Sequence, residues 1–336
     1  MKACVFKAPG APLEVTEVPD PQAGPGEVVV RVRNCGICGS DLHAAQWGVL
    51  PAGTIMGHEF SAVVDELGAG VSGLVPGEAV MVVPMINCGE CAFCLTGQAL
   101  LCTSQTGIGF EAPGAYAEKV RTRPGALLKM PPGLSHRAAA TVEPAVVGLH
   151  GLHRSRLMVG ETCVVMGGGP IGLVTTMWAR FAGARAVVVS EMAEGRRAMA
   201  LKMGADAVVN PREQSPVQEL IKMTGDGPDV VFECIGVPGT IEEAIRYVRK
   251  GGRVVVIGAC GEADKITPLR ALRREVDLRF SSGAELREFE TAMALLASGR
   301  VSTEPMITHA VGIDDLPRAF AALSHPNDQC KVMLEF

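Results

Sequence analysis

Aromatic side chains are scarce: two Trp, two Tyr and ten Phe make up 4% of the 336 residues. The core must therefore be mostly aliphatic, and no aromatic platform for stacking a sugar ring is evident. Hydrophobic residues reach 48%, yet no apolar run approaches the roughly 18 residues that a membrane span requires. The opening MKACVFKAPG has no apolar stretch of secretory-signal length, so the expected location is the cytoplasm. Long Lys/Arg runs are also missing and the formal net charge is -5. This excludes an electrostatic footprint for nucleic acid or an anionic membrane and leaves a small molecule as the expected partner.

Glycine (40) and cysteine (11) are plentiful. Without an export signal, the cysteines are expected to be reduced thiols and metal ligands rather than disulfides. The length predicts about two domains. In the first third, EVVVRVRN from Glu27, SAVVDEL and EAVMVVP read as strands separated by Gly and Pro, so this part is mostly β. After about residue 145 the texture changes to β-branched runs, TCVVM, AVVVSE, VVFECIG and RVVVIG, alternating with helical stretches such as 170–181. That rhythm predicts a parallel sheet covered on both faces. Past Asp277 the pattern is irregular, with helices expected over 286–298 and 315–323 and a closing strand KVMLEF that returns to the first domain. No internal repeat or low-complexity segment is present.

Cys88, Cys91, Cys94 and Cys102 form a C-x2-C-x2-C-x7-C array in a segment poor in large apolar side chains. Such spacing lets four thiolates converge on one tetrahedral ion, which predicts a structural zinc site. An iron–sulfur cluster is the alternative, but its usual run closes with a three-residue gap and a proline, whereas here the gap is seven and Thr103 follows. Unligated thiols are the plain alternative. A nucleic-acid zinc ribbon is excluded because the lobe carries Glu90 and no Lys or Arg.

CGICGSDLH places Cys38, Ser40, Asp41 and His43 just after the alternating strand, and MGHEF supplies His58 and Glu59. One thiolate, one imidazole and one carboxylate make a mixed set that leaves a place for water or substrate, as a catalytic zinc requires. Taken singly, a His is as readily a hydrogen-bonded structural residue and a Cys a small buried hydrophobe. Further on, Gly167, Gly169, Pro170, Ile171 and Gly172 lie between the strand-like TCVVM and a helix start. Glycines there permit a tight turn and close backbone approach to a pyrophosphate at the helix N-terminus. Glu191, nineteen residues beyond Gly172, is placed to accept hydrogen bonds from the adenosine ribose hydroxyls. Its charge would repel a 2'-phosphate, which favours NAD over NADP, although Arg196 and Arg197 follow closely. A solvated helix-start carboxylate is the plain alternative for Glu191.

With GICGSDLH, GHEFSAVVDELGAGV, the four-cysteine lobe, Val142–Pro144 (VEP) and GGGPIGL in hand, the chain resembles the zinc-containing medium-chain dehydrogenase/reductase family over essentially its whole length. The resemblance implies an α/β protein in two parts. A GroES-like, mostly β catalytic domain would comprise 1–145 and 283–336, with a structural zinc lobe at 85–105. A Rossmann dinucleotide-binding domain would comprise 146–282. It implies two zinc ions, the catalytic one held by Cys38 and His58, with Glu59 coordinating directly or in alternation with water. Glu143 before a proline matches the polyol, butanediol and threonine dehydrogenase branch, where a glutamate sits near the metal. Further cofactor contacts are implied from Arg196, from Ile257, Gly258 and Ala259, and from Ser281 and Ser282 near the nicotinamide. Ser40 and His43 match the family's hydroxyl and imidazole proton relay. One departure is Ala62, where the family has glycine.

The expected activity is hydride transfer between an alcohol and NAD, with a polyol or short diol ranked first and a hydrophobic alcohol or ketone second. A homodimer or homotetramer is expected from the resemblance. Trp47, Phe110 and Ile86 lie near motifs that face the cleft in relatives, and each is as readily ordinary packing. Two rival readings are a zinc-stabilised binding protein without catalysis and a zinc-free reductase of activated alkenes; the second would lack both zinc sets.

Overall fold

The computed structural model describes residues 1–324 and 328–336. Six strands form a wholly parallel sheet in the order Ala207–Val209, Ala186–Ser190, Thr162–Met166, Val230–Glu233, Arg253–Val256 and Asp277–Phe280. Every residue of Thr162–Met166 and Ala186–Ser190 is buried, which explains why these runs read as continuously apolar rather than alternating. Alternate side chains feed two cores. Cys163, Val165, Val187, Val189 and Phe232 pack with Leu173 and Trp178 on one face. Val164, Val188, Val231 and Val254 pack with Leu220 and Ile245 on the other. A fully buried Leu or Val of this kind contributes roughly 1.5–3 kcal/mol.

The chain order reverses across Thr162–Met166, whose neighbours are Ala186–Ser190 and Val230–Glu233. The crevice beyond its carboxyl end is the topological switch point where α/β sheets bind ligands. Helix Pro170–Phe181 starts there. Asp277–Phe280, placed in irregular chain by the sequence reading, is the sixth strand. Its exposed edge position, with Phe280 largely in solvent, removes the apolar pattern that marks the inner strands.

The second sheet is mostly antiparallel. Its long strand Val28–Gly36 pairs along one side with Glu59–Leu67 and is shared on the other, Lys119–Thr122 covering its first half and Lys331–Glu335 its second. The closing strand therefore does return to the N-terminal sheet, with Ile307–Val311 parallel beside it. Helix Val142–Ser155, absent from the sequence reading, packs on helix Pro170–Phe181 and on Leu286–Ala297. It runs through position 145, where one domain was expected to give way to the next. No helix among the described residues is long and apolar enough to cross a membrane.

Candidate active site

Strand Val28–Gly36 ends two residues before Cys38, and helix Gly39–Trp47 begins directly after it. Cys38 thus stands at the helix N-terminus in extended conformation, with its side chain turned back over the first turn as a capping-box partner of Asp41. Gly36 pairs with Glu59 across the sheet, which carries His58 and Glu59 to the same place. One ligand atom from each of Cys38, His58 and Glu59 lies within 4.8 Å of the other two. Ser40 Oγ donates to Cys38 Sγ at 3.1 Å and stands 3.3 Å from His58 Nε2. Phe110 covers the His58 ring, with centroids 5.1 Å apart.

The other imidazole nitrogen, His58 Nδ1, is 3.2 Å from Asp41 Oδ1. Asp41 is wholly buried and accepts from the Cys38 N–H at 3.1 Å and the Tyr116 hydroxyl at 2.7 Å. A carboxylate behind a ligating imidazole fixes the ring and raises its basicity. Burial alone would push the His58 pKa down, but Asp41 and Cys38 outweigh it and hold it well above the ordinary value. Surroundings that favour positive charge on a buried imidazole favour a metal cation among the same donors.

Glu59 has a partner that the sequence reading missed. Lys331, 1% exposed, places Nζ 2.7 and 2.6 Å from the two Glu59 oxygens and 2.9 Å from the Ile37 carbonyl. Gly36 makes room for this pair, since a Cβ there would stand 2.1 Å from Glu59 Oε2. Glu143 is not among the three convergent donors. It faces a cavity of about 740 Å³ that Ile86, Leu100 and Phe289 also line. Burial, with Glu59 adding to it, pushes the Glu143 pKa up to about 7 while His58 works against the rise.

In the lobe, ligand atoms of Cys88, Cys91, Cys94 and Cys102 all lie within 4.8 Å of one another. Cys88 Sγ is 3.4 Å from Cys102 Sγ and 3.9 Å from Cys94 Sγ. A tetrahedron with sulfur about 2.3 Å from zinc has edges of about 3.8 Å. Backbone N–H groups of Cys94 and Thr103 lower the Cys91 pKa to about 6. Burial and the neighbouring sulfurs push Cys94 up to about 12, and a cation shared among the sulfurs would offset that mutual repulsion. The lobe's two short helices, Ala92–Leu95 and Ala99–Leu101, bury no residue. Both donor sets fit zinc.

At the switch point Gly167 has φ +95° and a Cβ on Gly172 would stand 1.9 Å from the Gly167 carbonyl oxygen, so only glycine allows this turn. Gly169 caps helix Pro170–Phe181 with open space beside it, and the helix N-terminus is free to meet a phosphate. The Glu191 carboxylate accepts N–H bonds from Gly168 at 2.7 Å and Ala193 at 2.8 Å, which holds it over the glycine turn. Arg196 turns away and donates to the Gln329 carbonyl, whereas Arg197 donates to the Glu191 carbonyl. Ile257 and Gly258 donate to the Glu233 carbonyl, and Ala259 abuts Gly236, so these two turns pack as one wall. Ser281 is buried with its hydroxyl unpartnered. Ser282 is exposed and lines a different cavity, between the cysteine lobe and His150, His153 and Glu288.

Residues 24–132 match the alcohol dehydrogenase GroES-like domain and residues 170–298 the zinc-binding dehydrogenase family. An L-threonine 3-dehydrogenase of Rhizobium rhizogenes is 32% identical over 99% of this chain and 98% of its own. The chain belongs to the zinc-binding alcohol dehydrogenase family. Among solved structures, (2R,3R)-butanediol dehydrogenase from Bacillus subtilis has a TM-score of 0.91 at 30% identity, covering 100% of this chain and 99% of that one. A zinc-binding dehydrogenase from Sinorhizobium meliloti 1021 bound to NADP has a TM-score of 0.91 at 32% identity, covering 100% and 99%. This alcohol dehydrogenase thus combines a GroES-like unit with a Rossmann-type parallel sheet and is an oxidoreductase.

Sequence reasoning about the dehydrogenase missed Tyr116 and Lys331. The only hint of Lys331 is a lysine opening an otherwise apolar closing strand, a position that ordinarily reads as solvent-facing.

Proposed function

We propose that this dehydrogenase oxidises a secondary alcohol that carries a second hydroxyl or an amine on the adjacent carbon, passing the hydride to NAD. The threonine and butanediol relatives both act on such a carbinol. The observation that carries the reading is the convergence of Cys38, His58 and Glu59 with the Ser40 hydroxyl touching the first two.

Cys38 and His58 hold the catalytic zinc in this reading, with Glu59 or Glu143 completing the shell, and the four lobe cysteines hold the structural one. When bound, the catalytic zinc supplies a Lewis acid that eases deprotonation of the substrate hydroxyl. The chain's own residues do the rest. Ser40 Oγ accepts the hydroxyl proton and passes it toward His43, three residues along the same helix face. The C–H bond breaks with its electron pair moving to the nicotinamide, the carbinol is oxidised to a ketone, and the dinucleotide is reduced. Asp41 and Tyr116 keep the His58 ring oriented. Glu143 before Pro144 presents a second carboxyl toward the substrate side.

Support for NAD is the Glu191 carboxylate, fixed by two backbone donors where a 2'-phosphate would sit. NADP is the second reading, favoured by the NADP-bound relative and by Arg197 beside Glu191. Exchange of Glu191 for Ala is expected to weaken NAD binding more than NADP binding in calorimetric titrations; the reverse order would select NADP. For the chemistry, a spectrophotometric panel of vicinal diols, polyols, L-threonine and simple secondary alcohols with either dinucleotide tests the substrate class. Turnover confined to simple hydrophobic alcohols would overturn it. The assembly we propose has a catalytic unit of 1–145 and 283–336, a nucleotide unit of 146–282, and a homodimer or homotetramer in the cytoplasm.

A further inference from the structure

Helix Gly39–Trp47 starts at Cys38 and ends on Trp47. Only two tryptophans occur in the chain. Trp178 is fully buried, its indole N–H donating to the Ala145 carbonyl. Trp47 is 53% exposed, although a large apolar ring at the surface forgoes the burial that usually retains it. What it does instead is touch two things. Its ring stacks on the His43 imidazole, with centroids 5.1 Å apart and planes inclined by 21°. It also lies against the backbone of Gly261, where a Cβ would stand 2.8 Å from Cζ2 and 3.1 Å from Cε2. Gly261 belongs to the loop that leaves strand Arg253–Val256 through Ile257–Ala259, at the ligand end of the parallel sheet. Trp47 therefore bridges the helix that carries Cys38, Ser40 and His43 to the loop on the nucleotide side. A third observation concerns His43 itself: its Nδ1 is buried and has no hydrogen-bond partner. With no hydrogen bond at this nitrogen, the stacked indole is a contact that sets the ring's orientation.

We propose that Trp47 is a positioning residue for proton release: it clamps the His43 ring in one orientation, with Nδ1 held away from solvent, and ties that ring to the Gly261 loop. Seating of that loop on the dinucleotide and aiming of the imidazole then occur through one contact. The inference rests on the reading of His43 as the relay base.

The test uses the zinc-loaded enzyme and steady-state rates with its best alcohol. Trp47→Ala lowers kcat about tenfold or more, in line with the cost of misplacing a catalytic group by about 1 Å, and leaves the KM for the alcohol within about twofold. Trp47→Phe retains a stacking ring and restores most of the loss. Gly261→Ala, at a position outside the left-handed region, forces the indole aside without altering it and lowers kcat in the same direction. Because Trp47 acts through His43, the double variant Trp47→Ala/His43→Ala is no slower than His43→Ala alone.

Wild-type turnover in both Trp47→Ala and Gly261→Ala, or additive losses in the double variant, would overturn the proposal while leaving the relay reading intact. Wild-type turnover in His43→Ala would instead remove the relay reading. Independently of rates, Trp178 is sealed, so the solvent-exposed part of the tryptophan emission reports Trp47. Adding NAD is expected to shift that emission to the blue, and emission unchanged at saturating NAD would break the link to the loop.

Discussion

At the scale of single residues the heaviest constraint is the Lys331–Glu59 pair. Both groups are sealed from water, at 1% and 0% side-chain exposure, so each is tolerable only because the other is present. Lys331→Met leaves the Glu59 carboxylate buried and uncompensated and is expected to cost about 3–5 kcal/mol of stability. Lys331→Met/Glu59→Gln removes both charges and recovers most of it, which guanidinium unfolding of the metal-free enzyme would show. A single variant as stable as wild type would mean that the pair is not buried as described. His58, Cys38 and Glu59 were legible as residues because their motifs are local in sequence. Lys331 was not, because it reaches the site from the far end of the chain, 272 residues from Glu59. Asp41 stood in view within CGICGSDLH, but its service to His58 depends on the fold that places Tyr116 beneath it.

Helices and lobes carry their own tests. The cysteine lobe buries no helix residue, so its shape depends on shared thiolates, and Cys94→Ser should lower the melting temperature while an unchanged value would remove the structural zinc. Helix Val142–Ser155 is held to helix Leu286–Ala297 by Glu288, which lies 3.0 Å from His150 Nδ1 and 2.6 Å from His153 Nδ1. Burial works against ionised Glu288, but both histidines outweigh it and bring its pKa down to about 2. Its hydrogen bond to Glu288 raises the His153 pKa, against burial, and Glu285 adds to the rise. The signs give opposite edges. The depressed Glu288 stabilises fully above the ordinary carboxylate range and loses this as pH falls toward about 2. The raised His153 stabilises fully below the ordinary imidazole range and loses this as pH rises through its folded value. The clamp is therefore strongest in mildly acidic solution, and the exposed His153 makes the alkaline edge the smaller one. Melting temperature followed from pH 4 to 8 should show a maximum near its acid side that Glu288→Gln flattens; an unflattened curve would assign the maximum elsewhere. Neither helix pairing nor this clamp was visible in sequence, because the three residues are brought together only when the two helices cross.

Across the whole molecule, what sequence made plain was the contrast between two textures, alternation in the first third and continuous apolar runs after about residue 145. That contrast survives in the structure because burial on one face or on two faces dictates it. It failed at edges: Asp277–Phe280 is a true strand that carries no two-sided burial, and helix Val142–Ser155 sits where the two textures meet. The closing strand makes the two ends of the chain interdependent. Lys331–Glu335 fills the gap between Ile307–Val311 and the second half of Val28–Gly36, and it delivers Lys331 to the Glu59 carboxylate. Val332, Met333 and Leu334 are fully buried, so their removal exposes apolar surface on both neighbours and opens two strand edges. A chain ending at Cys330 should lose the β-rich unit while its parallel sheet, whose strands all lie between Thr162 and Phe280, keeps its own core. The measurement is metal content and nucleotide binding of the shortened protein: zinc at the Cys38 site is expected to fall and dinucleotide affinity to fall less. Retention of full zinc and activity would show that the closing strand does not hold the site together.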